Sequence, residues 1–100
     1  MTGVQTCALP ISLIGLIAIY NNESEKEGYL TNFSVDPNYV GSGIGTSLLN
    51  ECVEYFKSLR YGLIRLEVFN LNHRALEFYK KRGFDVYKSY GDTTQLILEL

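Results

Sequence analysis

The chain has 100 residues, of which 46% are hydrophobic and 20% charged, and its formal net charge is −2. This length fits one small domain, and the composition is typical of a folded protein, which excludes an intrinsically disordered chain. The weakly negative charge excludes the strong cationic field of a general nucleic-acid binder, so we expect no nucleic-acid partner.

Cysteine and histidine are scarce, which limits metal and disulfide chemistry. Cys7, Cys52 and His73 form no CxxC or HExxH pattern, so no metal site is expected. Two thiols without a disulfide framework favour a reducing, cytoplasmic location. The apolar run Ile11–Tyr20 is about half a membrane span and follows no Lys or Arg, so we expect neither a membrane anchor nor a signal peptide.

The first residues fit no predicted element. Met1–Pro10 (MTGVQTCALP) shows no periodicity, and Gly3–Ile11 resembles one reading frame of a sequencing-library adapter. We therefore expect residues 1–11 to be a non-native leader and residues 12–100 to be a partial domain that has lost its N-terminal part. The first strand of that domain would then be an exposed sheet edge. An ordinary disordered leader is the alternative.

The next segment predicts a β-hairpin. Leu13–Tyr20 is short and rich in Leu and Ile, as in a buried strand, and polar Asn21–Gly28 predicts a turn. Tyr29–Val35 predicts a second strand, which Asp36-Pro37-Asn38 ends because proline has no N–H to donate. Strand alternation predicts that Leu30 and Asn32 share one face, opposite Tyr29, Thr31, Phe33 and Val35.

The remaining patterns alternate between helix and strand. Apolar residues at helical spacing predict a helix over Ile44–Leu59, closed by Gly62. A second helix begins after Asn72 as N-cap and ends at Gly83. Further strands are predicted at Leu63–Phe69, Phe84–Tyr90 and Thr94–Leu100. The order β-β-α-β-α-β-β predicts an α/β fold, a three-layer-type mixed β-sheet with two helices.

A glycine-rich turn, Gly41-Ser42-Gly43-Ile44-Gly45, joins the second strand to the first helix. It leaves backbone N–H groups uncovered beside the positive end of the helix dipole, and Thr46 adds a hydroxyl, which predicts a phosphate or pyrophosphate site. The spacing is neither GxxxxGK[ST] nor GxGxxG, and Glu67 lies mid-strand, so a Rossmann-type nucleotide-binding domain is a weaker alternative. A glycine turn without a ligand also stays open.

Two longer motifs point to one family. Val35–Leu49 (VDPNYVGSGIGTSLL) resembles motif A of the GCN5-related N-acetyltransferase (GNAT) family, V-x-P-x-[YQ]-[RQ]-G-x-G-[IL]-G. Asn72–Phe84 (NHRALEFYKKRGF) resembles motif B of that family, N-x-x-A-x-x-x-Y-x-x-x-G-F. The resemblance implies a partial GNAT acyl-CoA N-acyltransferase fold. It also implies an acetyl-CoA-dependent N-acetyltransferase that acetylates a primary amine by direct attack in a ternary complex, without a metal.

The resemblance also assigns roles to the residues at matching positions. Tyr79 is the implied catalytic residue, with its hydroxyl directed at the coenzyme sulfur. Asn72 contacts the pantetheine arm, and the main chain of Phe33 and Val35 binds that arm and the acetyl carbonyl. Val40 stands where the family has Arg or Gln and removes one pyrophosphate contact. The implied pyrophosphate cradle consists of the N–H groups of Gly41, Ser42, Gly43, Ile44, Gly45 and Thr46.

Several assignments stay open at the level of sequence. Glu27 and Glu67 are candidates for the general base, and Arg74 is a candidate for the 3′-phosphate of the coenzyme. The run Lys80–Arg82 is expected only to favour the dipole at a helix end. The implied partner is a small-molecule or peptide amine, and a homodimer is left open. A non-catalytic fragment that binds coenzyme A or phosphate is the alternative function.

Overall fold

The computed structural model describes residues 4–7 and 15–100, which form a mixed sheet and two α-helices in the strand order β1-β2-β3-β4-β6-β5. The predicted α/β fold is confirmed, and from β2 onward the elements follow the predicted order. A single 3₁₀ turn at Pro37–Tyr39 follows β3. The elements are β1 (Val4–Cys7), β2 (Gly15–Asn22), β3 (Glu27–Val35), α1 (Ile44–Ser58), β4 (Leu63–Phe69), α2 (His73–Lys81), β5 (Asp85–Tyr90) and β6 (Thr93–Glu99).

Strand β1 lies in the segment for which the sequence predicts no element. It pairs antiparallel with β2, with Val4 opposite Tyr20 and Cys7 opposite Ile17. Strand pairing uses backbone N–H and C=O groups, so an open sheet edge can take a partner that lacks a strand-like side-chain pattern. The prediction that β2 is an exposed edge is therefore wrong. The origin of residues 1–11 stays a prediction, and the predicted strand start at Leu13 lies outside the described residues.

The β2–β3 hairpin is longer than predicted. Asn21 pairs with Gly28 and Asn22 with Glu27, so only residues 23–26 form the turn. Gly28 is buried, and a Cβ at this position would lie 2.5 Å from the ring of Phe56 in α1. A segment that looks like a solvated turn thus contains a close approach between strand and helix, which only glycine permits.

A β-bulge at Thr31 changes the faces of β3. Asn32 pairs with Ala18 and Leu30 with Ile19, which leaves Thr31 as the extra residue. Phe33 therefore lies on the same side as Leu30, and the alternation predicted from the sequence is wrong beyond residue 30. The bulge also bends β3.

The sheet opens between β3 and β4. These parallel strands pair only where Glu27–Tyr29 meets Leu63–Arg65, whereas β4 pairs with β6 along its whole length. Beyond Tyr29, within the described residues, the β4-side edge of β3 has no strand partner. Its N–H and C=O groups on that side are available to a ligand that binds like an added strand.

The core lies between the sheet and both helices. Leu49, Cys52 and Phe56 of α1 are buried, which confirms the predicted apolar stripe. Tyr79 of α2 belongs to the same core, so both helices cover one face of the sheet. No helix among the described residues is long and apolar enough to cross a membrane.

The two helices end in the same way, although the residue that ends the helix was predicted correctly for only one of them. After α2, Gly83 adopts a φ of +96°, which confirms the predicted stop. After α1 the corresponding residue is Arg60, with a φ of +61°, and not Gly62. Gly62 instead donates its N–H to the carbonyl of Lys26 in the β2–β3 turn, at 2.8 Å.

Candidate coenzyme site

A cavity of about 670 Å³ lies between the end of β3, the start of α1 and one side of α2. Its wall includes most of the residues that the sequence assigned to a coenzyme, but not Ser42 or Ile44. From the predicted set the lining contains Phe33, Val35, Val40, Gly41, Gly43, Gly45, Thr46, Asn72 and Tyr79. The topology thus brings two motifs from separate parts of the chain to one place.

The glycine turn forms an open cradle at the start of α1. Gly41 and Gly43 have φ values of +90° and +93°, and a Cβ on either would meet no atom within 4 Å. Gly43 is the N-cap and provides no side-chain cap. The first intrahelical bond runs from the N–H of Ser47 to Gly43, at 3.0 Å. The preceding first-turn N–H groups therefore point toward the cavity end without helical acceptors, as an anion requires.

Ser42 and Ile44 have structural roles. The N–H of Ser42 donates to the carbonyl of Tyr39 at 3.1 Å, and its hydroxyl donates to the same oxygen. This closes the turn before the cradle and uses the N–H that the sequence assigned to pyrophosphate. The side chain of Ile44 packs toward Gly15 of β2, so its backbone N–H is the part that remains for a ligand.

Tyr79 is held rigidly at the inner wall of the cavity. Its ring makes edge contacts with Phe33, Phe78 and Phe84, with centroid distances of 6.1, 5.4 and 5.4 Å. Burial, with a smaller contribution from the neighbouring Cys52, raises the pKa of Tyr79 to about 12. The residue therefore stays protonated at neutral pH and can donate a hydrogen bond.

Asn72 performs the capping role that its sequence position predicts. Its side-chain oxygen accepts the N–H of Ala75 at 3.1 Å at the start of α2. The side-chain amide group still has its own N–H donors, and Asn72 lines the cavity. One side chain can thus cap the helix and contact a ligand. Arg74, in the first turn of α2, also lines the cavity.

Arg82 is the site residue that the sequence reasoning missed. The run Lys80–Arg82 was predicted only to complement the helix dipole, but Arg82 folds back into the cavity wall. Its Nη2 donates to the hydroxyl of Thr46 at the start of α1. Its guanidinium carbon lies 3.8 Å from the ring centroid of Phe78. No sequence pattern indicates this contact, because the two residues are distant in the chain.

The cavity carries positive charge although the chain is negative. Its described lining includes Arg74 and Arg82 and no Asp or Glu. Glu27, a candidate base, is paired with Arg65 at 2.8 Å and is not among the residues that line the cavity. Glu67 is exposed and accepts the hydroxyl of Tyr90 at 2.9 Å. Neither carboxylate lines the cavity, and the identity of the general base stays a prediction.

A comparison with known families decides the classification. The profile of the Acetyltransferase (GNAT) family matches residues 6–84. The chain belongs to the GNAT family. An uncharacterized N-acetyltransferase of Methanocaldococcus jannaschii is 34% identical over 88 residues, which is 83% of this chain and 39% of that protein.

Solved structures share the fold of this chain. The PaiA N-acetyltransferase of Thermoplasma acidophilum, crystallised with coenzyme A, has a TM-score of 0.87 at 24% identity; the match covers 99% of this chain and 61% of that one. The NatC complex bound to Gag peptide and coenzyme A has a TM-score of 0.82 at 28% identity, over 94% of this chain and 65% of that one. The chain spans less than two thirds of each of these GNAT relatives.

Proposed function

We propose that the chain is part of an acetyl-CoA-dependent N-acetyltransferase that acetylates a primary amine in a ternary complex. The observation that carries the proposal is one cavity that combines a glycine cradle, an unpaired strand edge and two arginines without a carboxylate. Coenzyme A has a diphosphate, an amide-containing arm and a 3′-phosphate, which match these three features. GNAT membership and the coenzyme-bound relatives support the same ligand.

Different residues along the cavity would bind different parts of the coenzyme. The cradle from Gly41 to Thr46 would hold the diphosphate, with the N–H of Ser42 excepted because Tyr39 accepts it. The main chain of Phe33 and Val35 would bind the arm as a strand binds its neighbour. Asn72 would donate to the same arm, and Arg74 would pair with the 3′-phosphate.

The chemistry needs an acetyl thioester and a neutral amine. Acetyl-CoA would supply the thioester, whose carbon forms the new C–N bond as the C–S bond breaks. The attacking nitrogen gives up one proton, and the sulfur leaves as a thiolate that takes up a proton from solvent. An N–H of β3 directed at the carbonyl oxygen stabilises the negative charge that develops there. Tyr79 donates a hydrogen bond to the leaving sulfur. Full proton transfer from a phenol of pKa about 12 to a thiolate, with a reference value of about 8.5, would cost roughly 5 kcal/mol.

For the acceptor we propose only a chemical class, a primary amine. A small-molecule or peptide primary amine fits an acyl transfer without a covalent intermediate, and the NatC relative was solved with a peptide. A reducing, cytoplasmic setting is part of the same proposal, and the two cysteines without a disulfide framework support it. A homodimer is a further possibility that size measurements can decide.

Calorimetric titration of the chain with acetyl-CoA tests the proposal. We expect saturable one-to-one binding, and we expect Gly43→Asp to abolish it, because a carboxylate at the cradle repels the diphosphate and the φ of +93° opposes a side chain. The matched control is Gly91→Asp in the β5–β6 turn, where φ is also positive and a Cβ also meets open space. Unchanged affinity in Gly43→Asp would refute the cradle.

The titration, together with a turnover assay and competition by ATP or NAD, separates the alternative functions. Binding of acetyl-CoA without turnover on any amine of a broad panel would identify a non-catalytic binding fragment. Displacement of coenzyme A by ATP or NAD at equal concentration would favour a nucleotide-binding domain of the Rossmann type. Binding together with acetylation of an amine would establish the proposed function.

A further inference from the structure

Arg82 has unused hydrogen-bonding capacity at the start of α1. A guanidinium group has five N–H donors, and two of its nitrogens are engaged here, Nη2 with the hydroxyl of Thr46 and Nη1 with the carbonyl of Phe78 at 3.1 Å. Its Nε is buried and has no hydrogen-bond partner among the described residues. A buried cationic donor without an acceptor is costly, unless a ligand supplies the acceptor.

The guanidinium is also positioned by packing. Its central carbon lies 3.8 Å from the ring centroid of Phe78, a residue that itself packs on Phe33. No salt bridge links Arg82 to a carboxylate within the described residues. No described carboxylate therefore neutralises its charge, while its position next to Thr46 places it beside the cradle.

The contact with Arg82 limits where the hydroxyl hydrogen of Thr46 can point. Because Arg82 donates to the Thr46 oxygen, the Thr46 hydroxyl hydrogen must point to a different acceptor. Both residues line the same cavity, so that acceptor can be a ligand oxygen. Val40, which also lines the cavity, presents an apolar side chain, 44% exposed, that contributes no donor.

We infer that Arg82 is the cationic residue that binds the diphosphate of the coenzyme, in place of a polar side chain at residue 40. This inference rests on the proposed function, since it needs a diphosphate in the cradle. Arg82 pairs with the diphosphate oxygens and directs the Thr46 hydroxyl to them. The end of α2 thereby completes an anion site that begins at the N-terminus of α1.

Titration of three variants with acetyl-CoA tests this inference. Arg82→Met is expected to weaken binding by roughly 10- to 100-fold, the effect of losing a charge-assisted hydrogen bond. Lys81→Met removes the same charge from an exposed neighbour at the same helix end, and is expected to weaken binding by no more than about threefold. Val40→Arg added to Arg82→Met is expected to recover part of the loss.

A second ligand shows which phosphate of the coenzyme Arg82 contacts. With 3′-dephospho-CoA, which keeps the diphosphate, Arg82→Met is expected to show the same fold loss. Arg74→Met is expected to lose affinity for acetyl-CoA only. If Arg82→Met does not fold, as judged by circular dichroism, Arg82→Lys takes its place, because lysine keeps the charge but not the planar fork. It is expected to bind more weakly than Lys81→Arg.

The outcomes separate the two proposals. If the unmodified chain binds acetyl-CoA and Arg82→Met behaves like Lys81→Met, the inference about Arg82 is wrong while the proposed function stands. A loss that disappears with 3′-dephospho-CoA also overturns it. If the folded, unmodified chain binds no acetyl-CoA, the proposed function fails and this inference fails with it.

Discussion

At the scale of single residues, burial determines the chemistry that Tyr79 can perform. The side chain is 6% exposed, and the nearby Cys52 is its electrostatic neighbour. A phenol with a pKa of about 12 keeps its proton and donates to a developing thiolate. The residue therefore acts as a hydrogen-bond donor more readily than as an acid.

Replacement of Tyr79 by phenylalanine tests this role. Tyr79→Phe keeps the three ring contacts and is expected to bind acetyl-CoA normally, but to lower turnover roughly 10- to 100-fold through loss of a hydrogen bond to charged sulfur. In the unmodified chain, the rate should show no loss from Tyr79 ionisation until the pH approaches 12. Tyr87→Phe, on an exposed strand, is the matched control. Equal turnover would make Tyr79 a core residue only.

At the scale of elements, the two helix ends form the same Schellman motif from different residues. After α1, Tyr61 donates to the carbonyl of Phe56 and Arg60 to that of Lys57. After α2, Phe84 donates to Tyr79, and Gly83 to Lys80. In both motifs an aromatic pair closes the turn, with ring centroids 5.4 Å apart. The left-handed position holds glycine in one motif and arginine in the other.

This difference predicts a stabilising substitution. Arg60→Gly is expected to raise the free energy of unfolding by about 1 kcal/mol, because glycine adopts a φ of +61° without the steric cost that a side chain imposes. Arg60→Ala, which removes the side chain but keeps the Cβ, is the control and should not stabilise. Urea unfolding measures both. A gain in Arg60→Ala equal to that in Arg60→Gly would contradict the backbone explanation.

At the scale of the whole molecule, contacts distant in sequence join the hairpin, α1 and the C-terminus. The hydroxyl of Tyr61 donates to Glu23 in the β2–β3 turn at 2.6 Å, and Gly62 donates to Lys26. Leu100 in turn donates its N–H to Gly62 at 3.0 Å. These contacts hold the end of the sheet opposite the cavity. The hydrogen bonds from Tyr61 and then Lys26 lower the pKa of Glu23.

The lowered pKa predicts a pH-dependent contribution to stability. Because the Glu23 pKa is lower in the folded state, its contribution is present above the ordinary value of 4.5 and is lost as the pH falls through the folded value. Glu23→Gln is therefore expected to be less stable than the unmodified chain at pH 7, with a difference that shrinks below pH 4.5. Glu25→Gln in the same turn is the control. A difference that is constant with pH would contradict this account.

Local signals in the sequence predicted both helices, the strands from β2 onward and many of the residues that line the cavity. Periodicity predicted α1 through Leu49, Cys52 and Phe56, and capping chemistry predicted the two ends of α2 at Asn72 and Gly83. The sequence also predicted the glycine cradle. Residues with positive φ that expose their N–H groups at the start of a helix favour glycine. These features depend on residues close together in the chain.

Only the tertiary structure decided the features that depend on residues far apart. The bulge at Thr31 turned Phe33 toward the helices, since strand register is set by the partner strand and not by alternation alone. The hairpin extends into a segment whose sequence looks like a polar turn, and there Gly28 packs against Phe56. Arg82 reached Thr46 because the fold brings the end of one helix to the start of another. Such contacts arise from packing, which short sequence patterns do not encode.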